Sequence, residues 1–188
     1  MKRVRHAKAL LMAATAFGCG GSALAADWSV DTAMSTLSFV GVQQGTKFTG
    51  RFETFDATIS FDPAAPDGGS IVGTVQTDSV NTRDHDRDAA LIDGDWFDSN
   101  AYAEARFESE SIVKLDDGTY DAAGQLNLKG RTRPITLHFN FDVAADGTAK
   151  FAGGMSINRF DFGVGEGWND TSWVGQDVDV SINLNLSQ

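Results

Sequence analysis

From Trp28 onward, apolar and polar positions alternate with period two in a series of short runs, the pattern of strands that bury one face. Trp28 and Val30 open the series; residues 37–42 are apolar at most positions, which predicts burial on both faces. Between Lys47 and Phe61 the parity changes, with Phe48 and Phe52 on one face and Phe55, Ala57, Ile59 and Phe61 on the other. A bulge or sharp bend near Glu53 and Thr54 would return both sets to a common inward side. After a turn-forming stretch at 62–69, alternation resumes at Ile71, Gly73, Val75 and Thr77. Further runs cover 105–113, 120–128, 135–143, 151–157 and 178–186, with residues 130–134 expected as a link. The cleanest has Ile135, Leu137, Phe139, Phe141 and Val143 on one face and Thr136, His138, Asn140 and Asp142 on the other. Eight or nine strands at hairpin spacing predict an antiparallel all-β domain, a barrel or a sandwich.

The alternation fails for long in one place, residues 80–107. Asp84, Asp86 and Asp88 crowd what reads as the first turn of a short helix, where carboxylates meet unpaired N–H groups and the positive dipole end. Ala89, Ala90 and Leu91 carry the helix on, and Gly94 is expected to stop it. Beyond it Trp96 and Phe97 stand between Asp95 and Asp98, so two large rings need an apolar surface to dock on while their neighbours stay in water. This aromatic turn is expected to lie over one end of the barrel as a lid.

Small residues bear on the interior. Gly73, Ala122, Gly124 and Gly153 fall on apolar faces in register with Val75, Leu126 and Met155. An eight-stranded barrel is just wide enough to fill itself with side chains or to hold one small ligand, and small inward residues would favour a cavity. Glycines that permit bends or close backbone approach give the same pattern, so the residues alone leave both readings open.

Several spaced motifs carry a resemblance. Thr77-x-Ser79-Val80-x-Thr82, Asp84-x-x-Arg87-Asp88-x-x-Leu91, Asp95-Trp96-Phe97-Asp98, Tyr102 and Ala105-Arg106-Phe107 follow in order. Gly124-x-Leu126-x-Leu128-x-Gly130-x-Thr132-x-Pro134 and Arg159-x-Asp161-Phe162-Gly163-Val164-Gly165 complete the set. Together they resemble the YceI-like lipid and polyisoprenoid-binding family over essentially all of the chain after the leader. Ala103 departs from the proline that often follows the family's tyrosine. The resemblance implies an extended eight-stranded lipocalin-like barrel with one short helix, enclosing an isoprenoid lipid. The lining expected on that basis is Phe39, Phe48, Phe52, Gly73, Val75, Trp96, Phe97, Phe107, Gly124, Leu126, Phe139, Phe141, Gly153, Met155, Phe162 and Trp168. Arg87 and Arg159 sit where the resemblance is strongest and are candidates for a polar head group, with salt bridges to nearby carboxylates as the other reading.

The first 26 residues change the compartment. Lys2, Arg3, Arg5 and Lys8 precede an apolar run from Ala9 to Phe17, and Ala23-Leu24-Ala25 is a small-x-small cleavage site. This is the pattern of a secretory leader, too short to span a bilayer. Cys19 lacks the upstream leucine of a lipoprotein signal, so cleavage is expected after Ala25 or Ala26, giving a periplasmic domain at 27–188 without cysteine. The leader takes four of the 15 basic residues, leaving 11 against 26 acidic ones and a net charge of about −15. Such a surface repels nucleic acid and anionic membrane faces.

Catalytic motifs are weak by comparison. Asp84, Asp86, Asp88 and Asp95 fall at calcium-loop spacing, but Ala89 stands where that loop needs glycine and Asp95 where it carries glutamate, so no metal is expected. His85 has no serine or cysteine nucleophile motif with it, and Gly163-x-Gly165-x-Gly167 lacks the dinucleotide spacing. The expected function is therefore a non-catalytic periplasmic carrier of a polyisoprenoid or isoprenoid quinone, without cofactor, as monomer or homodimer, with a transient membrane-protein partner. The alternative is a redox accessory or enzyme acting on a bound quinone.

Overall fold

The computed structural model describes residues 25–188, so the expected leader falls outside the described residues apart from Ala25 and Ala26. Eleven strands form one antiparallel sheet. β1 (Ala26–Val30), β2 (Thr36–Gln43), β3 (Thr46–Phe52), β4 (Phe55–Phe61), β5 (Ser70–Gln76) and β6 (Val80–Asn81) precede α1 (His85–Ile92), the one α-helix of the described residues. β7 (Glu104–Lys114), β8 (Tyr120–Leu128), β9 (Arg131–Val143), β10 (Thr148–Asn158) and β11 (Asp177–Ser187) follow. Between the barrel and sandwich alternatives the pairing decides. β1, β4, β5 and β7 to β11 form a ring of eight, closed where Ser29 and Val30 meet Ser187 and Leu186.

The extra strands are continuations. β11 pairs with β1 at its end and with β2 farther back, from Asn183↔Thr36 to Asp179↔Val40. β3 pairs with β2 and β4 with β1, so Glu53 and Thr54 mark the break that the parity change predicted. β6 prolongs β5 and pairs with β3 through Phe52↔Val80. The barrel wall is thereby lengthened at one end, and there β6 has no neighbour on its other side, because β7 begins only at Glu104. Residues 82–103 cross this seam.

That crossing is built as the aspartates suggested. Asp84 caps α1 by accepting from the Arg87 N–H at 3.1 Å, and Asp88 accepts from the Thr82 N–H (2.7 Å) and hydroxyl (2.6 Å). Ile92 is the last helical residue, and its C-cap Asp93 already has extended φ/ψ of −73° and 167°. Gly94 is not the terminator. At the start of β7, Ala103 accepts from the Thr77 N–H and hydroxyl, which closes the junction without the family's proline.

Two packed cores divide the interior. At the end opposite the seam, Phe61 meets Tyr120 and Phe141 edge-on at 5.0 and 4.9 Å, and Phe139 stacks on Phe151 at 4.7 Å. Trp28 packs on Phe141 and donates its indole N–H to the Phe61 carbonyl. Each such aromatic pair adds about 1 kcal/mol beyond its burial. At the seam end Phe39, Val80, Leu91, Phe97, Leu128, Ile157, Phe162 and Val164 form the second core. Leu126 and Met155 pack against both.

Three strand expectations are corrected. In β2 only Leu37, Phe39 and Gly41 are buried; Val40 and Val42 are half-buried on the other face, where Gly175 covers Val42. The link between β8 and β9 is just Lys129 and Gly130, both with positive φ, and Pro134 lies inside β9 opposite Gln125. Over that stretch β9 has a neighbour on one side only, which suits a residue without an N–H. Val143, at the strand end, is exposed.

Candidate functional site

Between the two cores the inward side chains do not meet. Phe55, Ala57, Val75, Leu126, Met155, Val178, Val180 and Ile182 face the axis yet keep exposed surface, because they border an empty space. This cavity measures about 200 Å³ and runs from Ile59, Ile71, Leu137 and Leu184 at one end to Leu91, Trp96, Phe97 and Val164 at the other. An apolar cavity of about 150 Å³ stays dry and accepts a benzene-sized guest, so the void is larger than one small ring needs.

Its shape follows from small residues at neighbouring positions. Ala57 pairs with Gly73 and Gly73 with Phe107; one step along, Phe55 pairs with Val75 and Val75 with Ala105. A Cβ built on Gly73 meets nothing within 4 Å. On the facing wall β2 and β3 make a reciprocal pair, Phe39 opposite Gly50 and Gly41 opposite Phe48. Each ring lies over the partner glycine, so it hugs the wall and leaves the centre free.

Of the expected lining, Phe39, Phe48, Phe52, Gly73, Val75, Trp96, Phe97, Phe107, Leu126 and Met155 border the cavity. Phe139 and Phe141 lie within the packed aromatic core, Phe162 is buried in the second core, and Trp168 is about half exposed, tilted against Trp96 at 6.4 Å. Gly124 and Gly153 make no room for a ligand. A Cβ on Gly124 would stand 2.2 Å from the Glu108 carbonyl oxygen, beside the bulge where β7 shifts register between Ser109 and Ser111. On Gly153 it would stand 2.8 Å from the His138 carbonyl oxygen and the Phe139 Cβ. Ala57, Ala105, Gly41 and Gly50 were missed, although Ala57 sits on the face that alternation had already marked as inward.

The lid end is fastened by cations. Arg159 is 2% exposed and has no carboxylate partner among the described residues; its five N–H groups donate to five carbonyls, those of Gly175, Val164, Gly165, Trp168 and Val174. Burial pulls its guanidinium below the ordinary arginine value. The side chain borders the cavity and stacks near Phe160 (4.0 Å) and Trp96 (5.5 Å), but its donors are used up in folding the 159–176 loop. It therefore does not serve as a head-group partner. Lys129, missed in the sequence, donates to the carbonyls of Gly94, Asp95 and Gly163 and so ties the aromatic turn to that loop. Arg131 holds Glu166 in a bidentate pair at 2.9 and 3.0 Å, which keeps the carboxyl below its ordinary value and raises the arginine.

Arg87 is placed differently, outside the cavity. Its Nε donates to the Thr82 hydroxyl and its Nη1 to the Gln43 side-chain oxygen, Asp84 lies 3.5 Å away, and the guanidinium rests 4.3 Å over the Phe48 ring. Thr77 also borders the cavity, but its hydroxyl is bound to the carbonyls of Tyr102 and Ala103. The interior thus offers a guest hydrocarbon on nearly every side.

Comparison with known proteins fits this architecture. The YceI-like domain family matches residues 28–186, and the chain belongs to that family. A UPF0312 protein of Pseudomonas fluorescens is 36% identical over 169 residues, covering 81% of this chain and 85% of its own, and one of Vibrio cholerae is 32% identical over 151 residues, covering 76% and 80%. Among solved structures, Burkholderia cenocepacia BcnA is 32% identical with a TM-score of 0.80, covering 83% of this chain and 98% of its own. A polyisoprenoid binding domain from Saccharophagus degradans implicated in plant cell wall breakdown has a TM-score of 0.68 at 18% identity, covering 85% and 97%, a likeness of fold.

Proposed function

We propose that this YceI-like domain is a non-catalytic periplasmic carrier that encloses the chain of a polyisoprenoid lipid or isoprenoid quinone. The observation that carries this reading is the apolar void left between two well-packed cores, walled by Ala57, Gly73, Ala105 and the flattened rings of Phe39 and Phe48. Each buried methylene contributes about 0.8 kcal/mol, so a five-carbon unit contributes about 4 kcal/mol before the cost of ordering the chain. Affinity should therefore climb steeply with chain length until the void is full.

The leader pattern at 1–26 supports export, and the first strand starts at Ala26, where that pattern ends. The solved domain from Saccharophagus degradans is described as polyisoprenoid binding, which supports the ligand class. Mass spectrometry of organic extracts from protein purified without detergent tests the reading. A stoichiometric isoprenoid is expected; a clean extract together with no uptake of added prenyl chains would overturn it. Turnover of a reduced quinone by the loaded protein would instead favour the redox accessory.

A further inference from the structure

Just outside the void lies a second, polar pocket formed by Gln43, Gln44, Thr46, Phe48 and Arg87. Phe48 borders both spaces, so a single ring separates hydrocarbon from a site open to water. The charge of this pocket is one-sided: Arg87 lines it and no carboxylate does. The chain carries 26 acidic residues, yet none lines it. Because the Gln43 side-chain oxygen already accepts from Arg87, its amide nitrogen is left as a donor; Thr46 adds a hydroxyl and Arg87 its remaining N–H groups. Asp84 at 3.5 Å offsets part of the guanidinium charge without entering the pocket.

The ring between the two spaces is held by packing alone, unlike the loop and turn beside it. Loop 159–176 and the aromatic turn are held by the bonds of Arg159, Lys129 and Arg131, whereas rotating Phe48 breaks no hydrogen bond. It gives up the Arg87 contact, the edge-on contact with Phe39 at 6.2 Å and its seat over Gly41, where a Cβ would stand 2.7 Å from the ring.

Resting on the carrier reading, we infer that this pocket is the head-group subsite, that it takes a head bearing hydrogen-bond-accepting oxygen, and that the chain enters and leaves past Phe48. An enclosed chain then lies in the barrel with its polar end held by Gln43, Thr46 and Arg87, the ring closing against it. A cationic head faces the Arg87 guanidinium, with no carboxylate in the pocket lining to offset the repulsion.

Binding of chain-matched prenyl probes ending in a methyl, a ketone or an ammonium group tests this. In the unaltered protein the ketone should bind about tenfold more tightly than the hydrocarbon, and the ammonium no better than the hydrocarbon. The double variant Gln43→Leu/Thr46→Val, altered at exposed positions, should erase the ketone preference and leave the hydrocarbon unchanged. Phe48→Ala should speed uptake and release of all probes severalfold. A ketone preference that survives the double variant, an ammonium probe that binds best, or unchanged rates in Phe48→Ala would overturn the assignment while leaving the carrier reading intact. Failure of every probe to bind the unaltered protein would overturn both.

Discussion

Phe39 and Gly50 are cross-strand partners, and the ring of the first fills the space a Cβ on the second would need, with only 2.3 Å to the nearest ring carbon. The glycine is there for an aromatic neighbour. Gly50→Ala should push Phe39 off the wall and into the void, costing about 1–3 kcal/mol of stability by overpacking. Urea unfolding and prenyl-chain binding should both fall. An alanine that leaves affinity untouched would mean that the ring has another place to go.

Gly73 and Gly124 should respond in opposite ways to enlargement. Leucine at Gly73 enters open space, so the empty protein should keep or raise its melting temperature while chain binding drops by tenfold or more, about 1.4 kcal/mol. Alanine at Gly124 meets the Glu108 backbone, which cannot move without disturbing the bulge, and should cost more than about 3 kcal/mol. Thermal unfolding of the two variants side by side checks both. Equal destabilisation would show that the Gly73 space is not a void.

Arg159→Met should destabilise the lid end by leaving the carbonyls of Gly175, Val164, Trp168 and Val174 without their donor, while Gly165 keeps the Trp168 N–H. The loss should exceed about 3 kcal/mol, and Arg159→Lys should recover only part of it, because an ammonium reaches at most three acceptors. Hydrogen exchange should show unprotected amides at Gly163, Val164, Gly165 and Trp168, whose N–H groups are bonded within or beside that loop. Protection that persists in Arg159→Met would mean the loop holds itself.

The Arg131–Glu166 clasp makes a pH prediction. Its carboxyl titrates lower folded than unfolded, so its contribution is present in full above the ordinary carboxylate value, about 4.3, and is lost as pH falls through the lowered one. Release of bound chain should be slower in the unaltered protein than in Glu166→Gln at neutral pH, and the two rates should converge only once pH has fallen below the lowered carboxyl value. Both partners are substantially exposed, so the difference should shrink in high salt. A gap that persists unchanged at acid pH would remove the clasp from the lid.

Much of the barrel could be read from periodicity, since the inward set of β9 and the break at Glu53 and Thr54 need only a count of alternate positions. The walls of the void could not. Gly73, Gly50 and Gly124 look alike in a sequence, yet one opens space, one seats a ring and one lets two backbones touch. What separates them is the strand register, which sets the neighbour across the sheet. Arg159 was hidden for a related reason: its partners are backbone carbonyls, which every residue has. Trp96 and Phe97 were found because two rings flanked by acids must dock somewhere, and that argument is local.

Ring closure joins the first strand to the last, Ser29 to Ser187 and Val30 to Leu186. A chain made from its N-terminus therefore holds β1 with one edge bare until β11 has emerged, and the non-local closing step comes last. Until then no interior exists. A nascent chain has no cavity in which to hold a guest, so any loading can only follow closure of the ring.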